Sequence, residues 1–454
     1  MSETRQSQAW PRSGLLVVFL CFVTVVFDGY DLIVYGAVIP VLLKEPGWSL
    51  SVAEAGTIGS YGLTGMLIGA LVAGTITDII GRRPTILLCL GWFSVAMGAC
   101  AFAPSPEWLG ALRFVAGLGL GGVIPTATAL TLEYAPAHRR SFTYALMFSG
   151  WAVGGALAAV AARSLLPDFG WRGMFALGAA PLLVLPVMLK ALPESVHFLR
   201  TRGRFAEADE LAYRMGLPAP IRPPVRPTVE ARASRGQSVG SLFVARYRAT
   251  TVVFWVTCFL GLLLVYGLNT WLPQIMLKAG FSLGASLSFL LALNAGTILG
   301  ALVMARAADR WSAKPAIVAM FVTAAACIAG LSTRPPEAIA YLLVIGAGFG
   351  VGTQILLNSY IGMSYPVKAR ATALGWSLGV GRLGAILGPT IGGHLVAAEL
   401  APEWNFHFFA AIALIAAAAV ALVPRTTTAP EPAEAPEPHD DIADIEPHRH
   451  ENRH

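Results

Sequence analysis

Phe27-Asp28-Gly29-Tyr30-Asp31 sets two acids inside a run of sequence that is otherwise apolar. Upstream lies Leu15-Leu16-Val17-Val18-Phe19-Leu20-Cys21-Phe22, and downstream lies Leu32-Ile33-Val34-Tyr35-Gly36-Ala37-Val38-Ile39-Pro40. Together they make about 25 residues without another charge, enough to cross a hydrocarbon core of about 30 Å at about 1.5 Å per residue. Asp28 and Asp31 stand three apart near the centre, so a helix places them on one face. A carboxylate at that depth is costly unless it faces protein or water, and protonation is its usual escape. Two readings follow: a proton site, or a buried acid held by a helix-packing arginine. Arg5 and Arg12 precede the run as in a signal peptide, but its length, its central acids and the missing small-residue cleavage site read as a retained helix.

The 454-residue chain is 56% hydrophobic and only 13% charged, outside the usual soluble range. The net charge of +6 is a topology signal and not a nucleic-acid footprint, because the basic residues fall mainly in short loops and one central segment. Cys21, Cys89, Cys100, Cys258 and Cys327 lie in apolar runs with no paired spacing and read as small buried hydrophobes.

Apolar runs recur at about 15–43, 52–76, 84–103, 108–132, 142–164 and 172–192, and again at about 250–276, 283–305, 314–331, 339–362, 371–396 and 404–424. This predicts an all-α integral membrane protein with twelve transmembrane helices in two six-helix bundles, residues 1–192 and 249–424. A cytoplasmic loop, 193–248, joins them. It holds a short surface helix at Ala206-Glu207-Ala208-Asp209-Glu210-Leu211 and a flexible stretch, Arg222-Pro223-Pro224-Val225-Arg226-Pro227. Residues 425–454 read as a disordered cytoplasmic tail. Its histidines (His439, His448, His450, His454) are taken as solvated, so no metal site is expected. Arg82 and Arg83, Arg139 and Arg140, Arg306, Arg310 and Lys314, and Lys368 and Arg370 occupy alternate loops, which puts both termini in the cytoplasm.

The halves repeat. Val34-Tyr35-Gly36 returns as Val265-Tyr266-Gly267, and Gly47-Trp48-Ser49-Leu50 returns as Gly280-Phe281-Ser282-Leu283. Gly117, Gly119 and Gly121 match Gly346, Gly348 and Gly350, while Arg140 precedes Gly154 by the same 14 residues as Arg370 precedes Gly384. A duplicated unit of this kind is the layout of a transporter whose site lies between its halves near the midplane. The repeat also shows where the halves differ. Asp28 and Asp31 correspond to Phe259 and Leu262, Arg113 to Leu342, and Arg382 to Ala152. Packing alone does not need these charges, which makes them the best functional candidates.

Gly74-Thr75-Ile76-Thr77-Asp78-Ile79-Ile80-Gly81-Arg82-Arg83 resembles the signature loop of the major facilitator superfamily. There Asp78 would hold arginines and a helix N-terminus and latch a cytoplasmic gate. Ile79 replaces the usual basic residue. The second-half copy keeps Asp309-Arg310 without the glycines, and Glu133 with Arg139 and Arg140 is assigned to the same gate. Pro193-Glu194-Ser195 is similar to a loop motif common in sugar and organic-ion members. The small residues of Gly384-Ala385-Ile386-Leu387-Gly388-Pro389 allow close approach and a bend in the eleventh span. Gly117-Leu118-Gly119-Leu120-Gly121-Gly122 fits a dinucleotide pattern, but it sits in an apolar helix with no strand before it.

Within that superfamily, Asp28-Gly29-Tyr30-Asp31 resembles the first-helix signature of the aromatic acid:proton symporters. Asn269-Thr270-Trp271-Leu272-Pro273 and Gly381-Arg382-Leu383-Gly384 strengthen the match, and the continuation Leu32-Ile33-Val34-Tyr35-Gly36 is most similar to the benzoate-type branch. The resemblance implies that Asp28 and Asp31 serve coupled uptake. Importing an anion with at least one proton avoids driving net negative charge inward against the membrane potential. Arg113 is expected to pair with the acids. Arg382, mid-span in the eleventh helix, is a bidentate clamp for a substrate carboxylate or else an arginine tied to helix carbonyls. Tyr266, Asn269, Trp271, Asn294, Gln354, Asn358 and Tyr360 are candidates to line a ring pocket, although interface anchoring explains single aromatics and interhelical bonding explains the amides. His394 is a lone histidine and carries little weight.

The resulting expectation is a monomeric, proton-coupled importer of a monocyclic aromatic carboxylate in a bacterial inner membrane. It needs no cofactor beyond the proton gradient and binds no nucleic acid. Alternatives are a symporter of another organic anion, a drug:proton antiporter and a non-transporting sensor. No metal spacing, nucleophile–base set or cofactor motif supports an enzyme.

Overall fold

The computed structural model describes residues 12–136, 139–217, 242–310, 312–365, 367–398 and 400–423. The 222–227 stretch, the tail histidines and the side chain of Asp309 lie outside the described residues. Every regular element among those described is helical. The first three passes are Arg12–Leu42, Val52–Ile80 and Arg82–Cys100. The fourth combines Pro106–Leu120 with Val123–Tyr134. After Arg140–Phe148, the helix Gly150–Leu177 is broken at Gly170 (φ 60°), so Phe142–Ala191 makes the fifth and sixth passes with Pro181–Ala191. Two surface helices follow, Val196–Thr201 and Phe205–Arg214. Then come Arg248–Lys278, Leu283–Arg310, Ala313–Leu331, Glu337–Ser364, Val367–Ala397 and Pro402–Leu422. Ten stretches meet the length and apolarity needed to cross a membrane, one of them the double span. Val367–Ala397 at 31 residues reaches about 46 Å at about 1.5 Å per residue. The described residues thus make twelve passes.

The repeat seen in the sequence is a repeat of contacts. A Cβ on Gly154 of the fifth pass would collide with the carbonyl of Val26 on the first. A Cβ on Gly384 of the eleventh would collide in the same way with the carbonyl of Phe259 on the seventh. Lipid offers helices no hydrophobic reason to associate, so such small residues let backbones approach until dispersion holds them.

Contacts between the halves gather at the end where the first pass finishes and the second begins. Gly36 lies against the backbone of Asn269 and Thr270, and Gly56 against Pro389 and Gly393. The Ser60 hydroxyl meets the Ile386 carbonyl and stands 2.7 Å from the Thr390 hydroxyl. Arg163 donates to Ser288 at 2.6 Å. The same end is braced within the first half by Glu45, which accepts from Arg172 at 2.6 Å and from the Trp171 indole at 2.9 Å.

Burial pushes the Glu45 carboxyl up, but the bonds from Arg172 and Trp171 and the guanidinium charge outweigh it and hold the group below its ordinary 4.5. A depressed carboxylate stabilises the fold above its unfolded value and loses that contribution as pH falls through the folded one. Wild type should therefore melt above Glu45→Gln at neutral pH, and the gap should close as pH drops below 4.5. Thermal unfolding in detergent across pH checks this, and a gap that widens in acid contradicts it.

Candidate functional site

The two acids of the first pass share a helix face but not a fate. Asp31 Oδ1 stands 2.5 Å from Arg113 Nη1 of the fourth pass, with 3% of each side chain exposed. The Arg113 guanidinium lies over the rings of Tyr35 at 5.2 Å and Phe175 at 5.9 Å. A carboxylate and two ring faces compensate a cation taken out of water, although its Nε has no partner among the described residues. Tyr35 is itself fixed by donating to the Ala55 carbonyl at 2.6 Å. For Asp31, then, the arginine-paired reading holds in this conformation.

Asp28 is fully buried, and neither of its oxygens has a hydrogen-bond partner among the described residues. The fifth pass covers this turn closely, since Gly29 abuts the backbone of Trp151. The charges that act on Asp28 are Arg382 of the eleventh pass and Asp31. Arg382 and Asp28 in turn act on Tyr266 of the seventh. An acid from one half and a cation and a phenol from the other thus lie within electrostatic reach of one another. Arg382 is half-buried and has no hydrogen-bond or ion-pair partner among the described residues.

The amides separate into two places. Asn269 donates to the Val265 carbonyl at 2.8 Å, and Asn294 lies 3.5 Å from Asn269 Oδ1 with its own oxygen unpartnered. Gln354 donates to Asn358 at 2.9 Å and lies 3.9 Å from Cys258 Sγ, leaving its oxygen free. Gly381 also abuts Cys258, so Gln354 and the turn bearing Arg382 meet there. Tyr360 packs edge-on against Phe254. Trp271 differs from the expectation for a ring pocket. It is fully buried, donates to the Pro389 carbonyl at 2.7 Å and packs on Gly392 and Gly393. Trp271 belongs to the closed end, where its indole is committed to the Pro389 carbonyl.

At the opposite end the signature loop is arranged differently from the expected latch. Asp78 is largely exposed and pairs with Arg82 at 3.7 Å, so it holds one arginine as expected, but it does not hold the helix start. The helix start is held by Glu194, whose Oε1 accepts the backbone N–H groups of Arg82 (2.9 Å), Arg83 (3.1 Å) and Ser195 (2.8 Å). A carboxylate on the first free N–H groups of a helix satisfies both their bonding and the helix dipole. Gly81 (φ 104°) is required here, since a Cβ would strike Glu194. Asp78 instead supplies its backbone carbonyl to Arg202 at 3.0 Å. Glu133 accepts from the His197 N–H at 2.8 Å and has no ion pair with Arg139 or Arg140, which are exposed, as is Arg310. Gly74 faces open space. The proline-glutamate-serine motif was the available signal for Glu194, but nothing local links it to residues more than a hundred positions earlier. Glu194→Ala should destabilise the protein by about 1–2 kcal/mol, the usual cost of a lost N-terminal cap; an unchanged melting midpoint in detergent would show the cap to be dispensable.

The family model of the Major Facilitator Superfamily matches residues 21–359 and 285–451. The chain is 36% identical to the benzoate transport protein of Acinetobacter baylyi, covering 92% of this chain and 91% of that protein. It is 39% identical to the gentisate transporter of Corynebacterium glutamicum, covering 90% and 88%. Among solved structures, a D-xylose-proton symporter superposes with a TM-score of 0.72 at 17% identity, covering 91% of this chain and 98% of that one.

Proposed function

Because the chain belongs to the major facilitator superfamily and, within it, to the aromatic acid transporters, we propose that it imports a monocyclic aromatic carboxylate of the benzoate or hydroxybenzoate class together with protons. It is a membrane transporter and not an enzyme. The observation that carries the finer reading is Arg382, a half-buried guanidinium without a partner among the described residues, opposite a buried acid of the other half. A cation held in that state is a binding site for an anion, and the planar fork of arginine matches a carboxylate. The neighbouring Tyr266, Gln354 and Asn358 supply the polar contacts of a ring site. The proton gradient supplies the driving force, with no cofactor, and the monomer is the working unit. With both termini cytoplasmic, the closed end faces outward, and this conformation opens to the cell interior.

Uptake of labelled benzoate and gentisate into proteoliposomes, with and without an inward proton gradient, tests the proposal. Wild type should accumulate at least one of the two only when the gradient is present, and Arg382→Gln should not. Accumulation that ignores the gradient would remove the coupling, and uptake of neither acid would remove the substrate class.

A further inference from the structure

Asn269 of the seventh pass and Asn294 of the eighth are 3% and 0% exposed, and they meet where the first and fifth passes close on them. Gly36 of the first pass lies against the Asn269 backbone. A Cβ on Gly155 of the fifth would strike Ile33 Cδ1 and stand 2.8 Å from Asn294 Oδ1. The two amides therefore lie in the seam between the halves, at the closed end. We infer that Asn294 is a built-in opening device: its amide oxygen lacks a donor only while the seam is shut, which keeps the closed end metastable. This rests on the reading above that the closed end faces outward.

The nitrogens fix how the two amides are turned. Asn269 Nδ2 donates to the Val265 carbonyl at 2.8 Å and Asn294 Nδ2 to the Leu290 carbonyl at 2.9 Å, each one turn back on its own helix. Turning either amide over would set one oxygen against another. Both side-chain oxygens must then find donors elsewhere. Among the described residues, Asn269 Oδ1 has only the approach of Asn294 Nδ2 at 3.5 Å, the limit of a hydrogen bond. Asn294 Oδ1 has no partner among them, and it faces Gly155 and Ile33, which offer no side-chain donor.

An amide oxygen buried without a donor has left water and gained nothing in return, so it destabilises the state that buries it. The cost ends when the halves separate here, because Gly155 and Ile33 withdraw and water reaches the oxygen. It therefore acts on one conformation alone. The close backbone contacts at Gly36 and Gly56 favour closure through dispersion, and the orphaned oxygen opposes it. An end that must open and shut in every cycle needs these two to stay near balance.

Intact cells carrying the full chain with Thr270→Cys test this. Thr270 is 5% exposed and its backbone packs against Gly36. A membrane-impermeant maleimide added outside should label the cysteine only while this end is open, at a rate proportional to the open fraction. Adding Asn294→Leu or Asn294→Ala should slow labelling about tenfold, equivalent to about 1.4 kcal/mol, as expected when an unmade buried bond is removed. Leucine overfills the site and alanine underfills it, so a slowing shared by both belongs to the missing oxygen and not to packing. Slowing in only one variant, slowing in neither, or faster labelling in either overturns the inference. A fall in both melting midpoints in detergent would make the amide pair a stabilising bond and overturn it as well. If Thr270→Cys alone is never labelled from outside, the closed end does not open there and the inference falls with it. The readout needs no substrate, so a protein that labels as expected yet accumulates neither benzoate nor gentisate loses the substrate reading above and keeps this one.

Discussion

Replacing Arg113 with leucine should lower the stability of the protein by about 3–5 kcal/mol, the cost of removing one partner from a buried ion pair. The pair qualifies because both side chains are 3% exposed and 2.5 Å apart, so Asp31 would be left as an uncompensated ion with little water to reach it. The loss is not the intrinsic worth of the pair. Removing both charges together, with Asp31→Asn and Arg113→Leu, should recover most of the lost stability, because the large penalty lies in the orphaned charge and not in the missing attraction. Thermal unfolding of the three variants in the same detergent measures this. If the single variant melts with wild type, the pair is neither buried nor ionised as described. If the double variant is as unstable as the single one, packing around Tyr35 and Phe175 dominates.

The second large effect is expected from the smallest possible change, Gly36→Ala. A methyl at this position would run into the carbonyl of Asn269 and lie 2.8 Å from Thr270 Cα. These are backbone atoms of the opposite half, so no side chain can move aside. Overpacking of this kind costs about 1–3 kcal/mol. Because the contact forms only while this end is closed, the cost falls on one conformation and leaves each half intact. The closed-end state should become about five- to 150-fold less populated, since about 1.4 kcal/mol is a factor of ten. Spin labels placed on either side of the seam should report longer distances, and transport should fall while the melting midpoint changes little. Unchanged distances with normal transport would mean that the backbones part more easily than the contact implies.

The twelve passes were legible from hydropathy because lipid leaves the backbone one solution. Every peptide group must be bonded within its own segment, so a long apolar run has to be a helix. The pairing of Gly154 with the first pass and Gly384 with the seventh was legible in outline from the repeated spacing, because both halves solve the same packing problem with the same residues. The asymmetry of the repeat also marked Asp28, Asp31, Arg113 and Arg382 in advance as the charges the fold itself does not need. Helix periodicity put the two acids on one face. It could not say which would meet an arginine, since Arg113 arrives from 82 residues away on a helix whose rotation depends on its own packing.

The same limit explains the two residues that were assigned differently from what the structure shows. Asp78 is adjacent to the helix it was expected to hold, but Glu194, 112 residues from Arg82, takes those N–H groups. Trp271 sits in a polar stretch that suggests a binding pocket, but Pro389 on another pass has a carbonyl that its indole occupies. Which end is closed, and that Asp28 is left without a hydrogen-bond partner among the described residues, are likewise properties of helices brought together. The sequence by itself determined the number, order and internal symmetry of the helices and the short roster of charges within them, because burial in lipid acts on each segment alone. Only the tertiary structure decided which charges are spent on one another and which are left without a partner among the described residues, because pairing depends on distances between segments that local sequence does not encode.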